Sequence, residues 1–350
     1  MKVVAIDELG GVDSFSEKEL PLPKPGRNEV RIKIKAVGFN PVDCAMRAGF
    51  YGGNPSFPLV LGVECSGIID AVGDKNHPFS VGDEVWAFVF GRSSNGTYAE
   101  YTCVPIQFVA KKPKNLSFEE AAAIPLTYLT AFQALIARNI LQQNRPLFIA
   151  GGSGGVGTAA MALIHCYKGG PIFTTAGSEQ SENYLIHTFH LRKQQVLRYK
   201  NLTLDQMKDT LIEMNKKERF YLCFDCVGRG MKELCLSVID FYGHFASVVP
   251  EKEDFHIPIW GREKNIFFQK SLSFHFTFLG TAAFHGDEVS WNVYKTQLKH
   301  LTQLFEKENL MKPPIENMGP LSLQTVVKAH HRLEERHAMG KLIMTVSDSK

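Results

Sequence analysis

The residues with the clearest chemistry stand in a glycine-rich turn. Leu147-Phe148-Ile149-Ala150 is a short apolar run, and Gly151 to Gly157 follow it as GGSGGVG. Within that turn Gly152-Ser153-Gly154-Gly155-Val156-Gly157 fits the spacing G-x-G-x-x-G, and Thr158 to Ile164 continue as an uncharged, alanine-rich run. Between a strand and a helix, this spacing binds the pyrophosphate of a dinucleotide. Glycine permits the tight turn and lets backbone N–H groups come close to the anion. The helix then aims the positive end of its dipole at the same charge. Gly152, Gly154, Gly155, Val156 and Gly157 are therefore the expected cofactor-binding residues, the alternative being a tight turn with no ligand.

A second position bears on the same ligand. NAD-preferring proteins carry an acid for the ribose 2′-hydroxyl about 20 residues past the glycines. Here the sequence reads Thr174-Thr175-Ala176-Gly177-Ser178. Ser178 would not repel a 2′-phosphate, so NADP(H) is admitted. Cys223-x-x-Cys226 has the spacing of a metal-binding pair. On a strand those side chains point to opposite faces, and no second pair accompanies them, so they read as buried thiols. The His330-His331 pair reads as packed or solvated.

The elements that must hold these residues follow from the patterning. Glu29 to Val37 alternates polar and apolar residues, as a half-buried antiparallel strand does. Glycines recur at Gly62, Gly67, Gly73, Gly82, Gly91 and Gly96, and short strands between such turns predict a partly closed barrel. Ser117 and Glu120 form a capping box before Ala121-Ala122-Ala123, so a helix starts there and bridges two domains. From Pro146 strands and helices alternate. The strands expected are Leu147–Ala150, Ile172–Thr175, Val196–Arg198, Tyr221–Asp225, His244–Val249 and Leu272–Phe278. Repeated βα units imply a parallel sheet with right-handed crossovers. Trp291 to Asn309 reads as an amphipathic helix, and Gly340 to Val346 as a closing strand.

Composition narrows the class. A chain of 350 residues is long for one core, which favours two domains. A net charge of +3 argues against nucleic acid or a membrane surface as partner. Seven scattered cysteines suit a reducing, cytoplasmic setting. Pro146 to Tyr167 holds no Lys, Arg, Asp or Glu, yet its glycine density favours a buried βα unit over a membrane span.

Several motifs, in order, carry a family resemblance. Ala36-Val37-Gly38-Phe39-Asn40-Pro41-Val42-Asp43 with Arg47, Gly49 and Tyr51 comes first. Gly62 to Gly73, Val81-Gly82-Asp83-Glu84-Val85, Gly96 to Tyr101 and Ala121 to Pro125 follow, and Ala329-His330 through Lys341 closes the series. With the glycine turn they resemble the zinc-independent quinone oxidoreductase branch of the medium-chain dehydrogenase/reductase superfamily. The resemblance implies an α/β fold in which a doubly wound parallel Rossmann sheet is inserted in a GroES-like β-barrel catalytic domain. The boundaries expected are 1–122 and 277–350 for the barrel and 123–276 for the Rossmann domain. It also implies a homodimer through the edge of the Rossmann sheet, with which the apolar run Leu272–Phe278 is compatible.

The resemblance further assigns roles. Asn40 and Val63 stand where zinc-dependent relatives carry their Cys and His ligands, and neither suits zinc; Glu64 alone does not hold a metal, so no zinc is expected. NADPH-using relatives place a Lys shortly beyond the position of Ser178 and a Tyr after the next strand. Tyr199 is present, and Ser181 occupies the position of the Lys. NADPH is expected over NADH. Thr130 and Asn40 match residues on the nicotinamide side, and Val248, Phe276 and Phe278 lie near strand ends where such sheets bind ligands. With no metal to polarise a carbonyl, the expected acceptor is a quinone or another conjugated carbonyl. Asn40 and Tyr51 are the candidates to bond the acceptor oxygen or deliver a proton, with Asp43 orienting Tyr51 or a water, or capping a helix. An enoyl-thioester or 2-alkenal double-bond reductase is the alternative, as is a cofactor-binding protein with little turnover.

Overall fold

The computed structural model describes residues 1–50, 55–74, 78–89, 96–251, 257, 265–307, 310–335 and 338–347. Two compact units divide the chain: Met1–Leu129 with Leu279–Lys350, and Thr130–Phe278.

The second unit is built on six parallel strands. In space they run Val196–Arg198, Ile172–Ala176, Leu147–Ala150, Phe220–Asp225, Ile239–Ser247 and Ser273–Phe276. Numbered along the chain, that order is third, second, first, fourth, fifth, sixth, the doubly wound arrangement. The order reverses between the first and fourth strands, beside the glycine turn. Helices cross between strands, among them Gly155–Cys166, Glu179–Phe189 and Leu204–Met214. The uncharged run Pro146–Tyr167 is thus a buried strand and the helix that follows it. Among the described residues no helix is long and apolar enough to cross a membrane. Phe148, Phe173 and Phe220 pack across neighbouring strands with ring centroids 5.3–5.6 Å apart, and Leu211 joins the same core.

The first unit is antiparallel around one long strand, Glu29–Gly38, whose alternating residues are buried as the polar/apolar pattern requires. One side of it pairs with Glu64–Val72. The other side pairs with Tyr101–Pro105 along its first half and with Lys341–Thr345 along its last residues. Gly67 lies inside the strand Glu64–Val72 rather than at a turn, and Gly91 lies outside the described residues. Helix Asn292–Lys307 buries Tyr294, Leu298, Leu301 and Phe305, and Phe305 meets Trp86 edge-on at 6.0 Å.

The link between the units differs from expectation. The capping box forms: Ser117 Oγ accepts from Glu120 N at 3.2 Å, and Glu120 Oε2 accepts from Ser117 N at 3.0 Å. The helix it starts, Phe118–Ala122, ends inside the first unit. Pro125 has no N–H to extend it and opens a new helix, Pro125–Ala131. This second helix carries the chain past Leu129.

Candidate functional site

In the second unit the glycine turn is built by threonine hydroxyls. Thr175 Oγ1 accepts from Gly151 N at 2.9 Å, Thr174 Oγ1 accepts from Gly152 N at 3.1 Å, and Thr158 Oγ1 donates to Gly152 O at 3.3 Å. A Cβ on Gly152 would run into Thr174, and one on Gly157 into the backbone of Gly151 and Gly152. Gly154 differs, since its missing Cβ would meet nothing closer than Gly151 O at 3.5 Å. Helix Gly155–Cys166 begins directly behind it, and no side chain caps that helix. Its first N–H groups therefore need an acceptor from outside the helix. An open glycine before an uncapped helix start fits a pyrophosphate.

Tyr199 lies beside the residue that precedes Ser178. The Tyr199 hydroxyl sits 3.0 Å from the position of a Cβ on Gly177, next to Ser178. Ser178 is exposed and caps helix Glu179–Phe189, its Oγ accepting from Ser181 N at 3.2 Å. Ser181 Oγ answers by accepting from Ser178 N at 3.0 Å. That reciprocal cap gives the position of the absent Lys a structural task. Arg198 reaches Glu182 at 3.5 Å on the neighbouring surface.

At the far ends of the fourth and fifth strands lies a braced set that sequence reading missed. Buried Asp225 accepts from Val227 N, Gly228 N and Ser247 Oγ at 2.8–3.0 Å. Lys232 bonds Val249 O at 2.8 Å and Glu251 at 2.9 Å. These contacts hold the loops around half-buried Val248, whose N–H bonds Asp225 O. Thr130 is buried at the start of the unit. Phe278 is half-buried, whereas Phe276 is 47% exposed on the edge strand beside Phe274. Cys223 is buried on its strand and Cys226 follows the strand's end; all seven cysteines are free.

The first unit gathers a buried polar cluster where strand Glu29–Gly38 ends. Asn40 is buried, and its side chain is engaged at both ends: Nδ2 donates to Glu64 Oε1 at 2.7 Å, and Oδ1 accepts from Lys341 Nζ at 2.5 Å. Lys341 also donates to Glu64 Oε1 at 2.5 Å and Phe39 O at 2.9 Å. Glu64 Oε2 accepts from Leu126 N at 2.7 Å. The carboxylate fits here because residue 38 is glycine, where a Cβ would collide with it.

Asp43 follows on helix Pro41–Arg47, and its Oδ2 accepts from Asn40 N at 2.8 Å. Its Oδ1 is buried without a hydrogen bond. Burial pushes this carboxyl up to about 7, against the pull of the Asn40 N–H and the Lys341 charge. Nearby, His330 is buried while His331 is exposed. Arg47 Nη1 lies 3.2 Å from His330 Nδ1 and can only donate, so Nδ1 accepts and Nε2 carries the proton. Nε2 then donates to the Tyr98 hydroxyl at 3.1 Å. Burial, with the Arg47 charge, drives His330 down to about 3. Tyr51, expected to act beside Asn40 and Asp43, lies outside the described residues.

Two family models match separate stretches of the chain. Residues 26–114 match the family model "Alcohol dehydrogenase GroES-like domain", and residues 193–344 match "Zinc-binding dehydrogenase". The mouse synaptic vesicle membrane protein VAT-1 homolog-like is 28% identical over 99% of this chain and 81% of that protein. The human quinone oxidoreductase is 35% identical over 53% of this chain and 56% of that protein. The crystal structure of an NAD-dependent alcohol dehydrogenase superposes with a TM-score of 0.85 at 26% identity, covering 99% of this chain and all of that one. One family description names zinc, and the barrel residues do not fit it. Val63 is buried and offers no donor, Asn40 faces an ammonium, and Glu64 is bonded to that same ammonium. Among the described residues no group of His, Cys, Asp and Glu could hold a metal.

Proposed function

Because the chain belongs to the medium-chain dehydrogenase/reductase superfamily, in its quinone oxidoreductase branch, we propose that this oxidoreductase is an NADPH-dependent, zinc-independent reductase of quinones or other conjugated carbonyls. The observation that carries the cofactor reading is the open, uncapped helix start behind Gly154. When bound, NADPH supplies the hydride. Gly152, Gly154, Gly155, Val156 and Gly157 hold the pyrophosphate through backbone N–H groups. Ser178 and Tyr199 receive the 2′-phosphate with hydroxyl donors, and the first carries no opposing charge. The relative named as NAD-dependent is a reason to measure both cofactors. Thr130, Val248, Phe276 and Phe278 line the nicotinamide end.

The acceptor class follows from the barrel residues. Asn40, Val63 and a Glu64 bonded to Lys341 offer no Lewis acid to polarise a plain ketone. A conjugated acceptor spreads the incoming charge onto oxygen without one. Asn40 keeps one amide N–H for that oxygen after its bond to Glu64. Tyr51 delivers the proton, and Asp43 orients it. The protein works as a homodimer paired along strand Ser273–Phe276, where Phe274 and Phe276 are 41% and 47% exposed.

A second reading has its own support. VAT-1 homolog-like, matched along nearly the whole chain, is named for a membrane rather than a reaction. On that reading the chain binds the cofactor and turns over little. The test is a panel of para-benzoquinone, phenanthrenequinone, 2-alkenals and enoyl thioesters, with NADPH consumption followed optically. Fastest turnover on quinones supports the first reading, preference for enals or thioesters moves the assignment to double-bond reduction, and binding without consumption supports the second. Tyr51→Phe retaining full turnover removes that residue as proton donor.

A further inference from the structure

We propose that Lys341 is a tethered cation that closes the barrel unit to metal ions, and that removing it turns the place it fills into a divalent cation site. Its ammonium has three N–H bonds and meets three oxygens: Phe39 O at 2.9 Å, Asn40 Oδ1 at 2.5 Å and Glu64 Oε1 at 2.5 Å. Lys341 is 3% exposed and Glu64 is fully buried. An ammonium bonded only to oxygens, one of them a carboxylate, sits where a hard cation would sit. Magnesium and manganese take carboxylate, amide and carbonyl oxygens, whereas zinc favours thiolate and imidazole.

The oxygens are held in place independently of the lysine. Leu126 N–H fixes the other oxygen of Glu64. The Asn40 amide donates its Nδ2 to Glu64, which turns its Oδ1 toward the ammonium. Phe39 N bonds Leu342 O at 2.9 Å, which fixes that backbone against the closing strand. Truncating Lys341 leaves these groups around a buried, uncompensated carboxylate, with the lysine's own volume free for the waters a hard cation retains. The inference rests on the barrel unit alone and does not depend on which acceptor is reduced.

The probe is Mn²⁺, whose free-ion electron paramagnetic resonance signal falls on binding. Wild-type protein is expected to leave the signal unchanged. Lys341→Ala is expected to take up an equivalent of Mn²⁺ and to gain melting temperature with Mn²⁺ concentration, and Lys341→Ala with Glu64→Gln is expected to do neither. Lys341→Arg keeps a cation in place and should not bind. If Lys341→Ala does not fold alone, it is expected to fold when Mn²⁺ or methylammonium is supplied, seen by circular dichroism. The proposal is overturned if wild-type protein binds Mn²⁺ in a Glu64-dependent way. It is equally overturned if Lys341→Ala folds without binding Mn²⁺, or if neither ion restores its fold.

Discussion

At the scale of single residues, two buried groups titrate in opposite senses. Asp43 is held near 7, well above an unfolded aspartate at about 3.9. Between those values the native state keeps a proton the unfolded chain has released, so stability falls as pH rises. His330 is held near 3, well below its ordinary value of about 6.5. There the unfolded chain takes up a proton the native state refuses, so stability falls as pH drops. From about pH 4 to 6.5 the two slopes oppose each other and largely cancel. Asp43→Asn removes one of them. Urea unfolding across that range should then show stability climbing with pH by up to about 1.4 kcal/mol per unit more steeply than in wild type. An unchanged profile would mean that Asp43 does not hold its proton. Ser178 gives a second test, because aspartate caps helices as well as serine does. Ser178→Asp should leave melting unchanged and weaken NADPH about tenfold or more through charge repulsion, about 1.4 kcal/mol, with NADH unaffected. Equal loss for both cofactors would speak against a 2′-phosphate at Ser178.

At the scale of elements, the βα alternation was legible because each strand is a short apolar run closed by glycine or a cap. Boundaries moved where local rules compete. The last strand is Ser273–Phe276, shorter than the apolar run that contains it, and among the described residues it pairs on one side only. That free edge, with Phe274 and Phe276 exposed, is where a second copy is expected to pair. Phe274→Lys places a charge on the edge, a device that blocks strand addition. Light scattering should show it shifting a dimer to monomer; a wild-type monomer would remove this edge as the interface. The glycine turn makes a sharper claim. In Gly157→Ala the new Cβ meets backbone rather than a flexible side chain. The helix start must move, and NADPH affinity should drop at least tenfold, while Gly154→Ala lowers affinity with less loss of melting temperature.

At the scale of the whole molecule, the glycine turn and the barrel motifs are legible in the sequence, whereas the Lys341–Glu64 bond is not. Those residues are 277 positions apart, and only the pairing of Lys341–Thr345 beside Gly38 brings them together. Asp225, Lys232 and Glu251 are likewise joined only by the fold, since they sit at a strand end, on a helix and on a loop and share no local pattern. Short-range spacing is what supports the proposed dinucleotide in the second unit. Long-range contact shows that Lys341 bonds both Asn40 and Glu64, which supports the proposal that the first unit works without zinc. Together these features support the proposed metal-free reduction of a conjugated acceptor. Its most direct test is NADPH consumption with para-benzoquinone or phenanthrenequinone, before and after exhaustive treatment with a chelator. Saturable turnover that chelation leaves unchanged is the expected result. Turnover abolished by chelator and restored by zinc would contradict it, as would NADPH binding with no consumption on any quinone, enal or enoyl thioester.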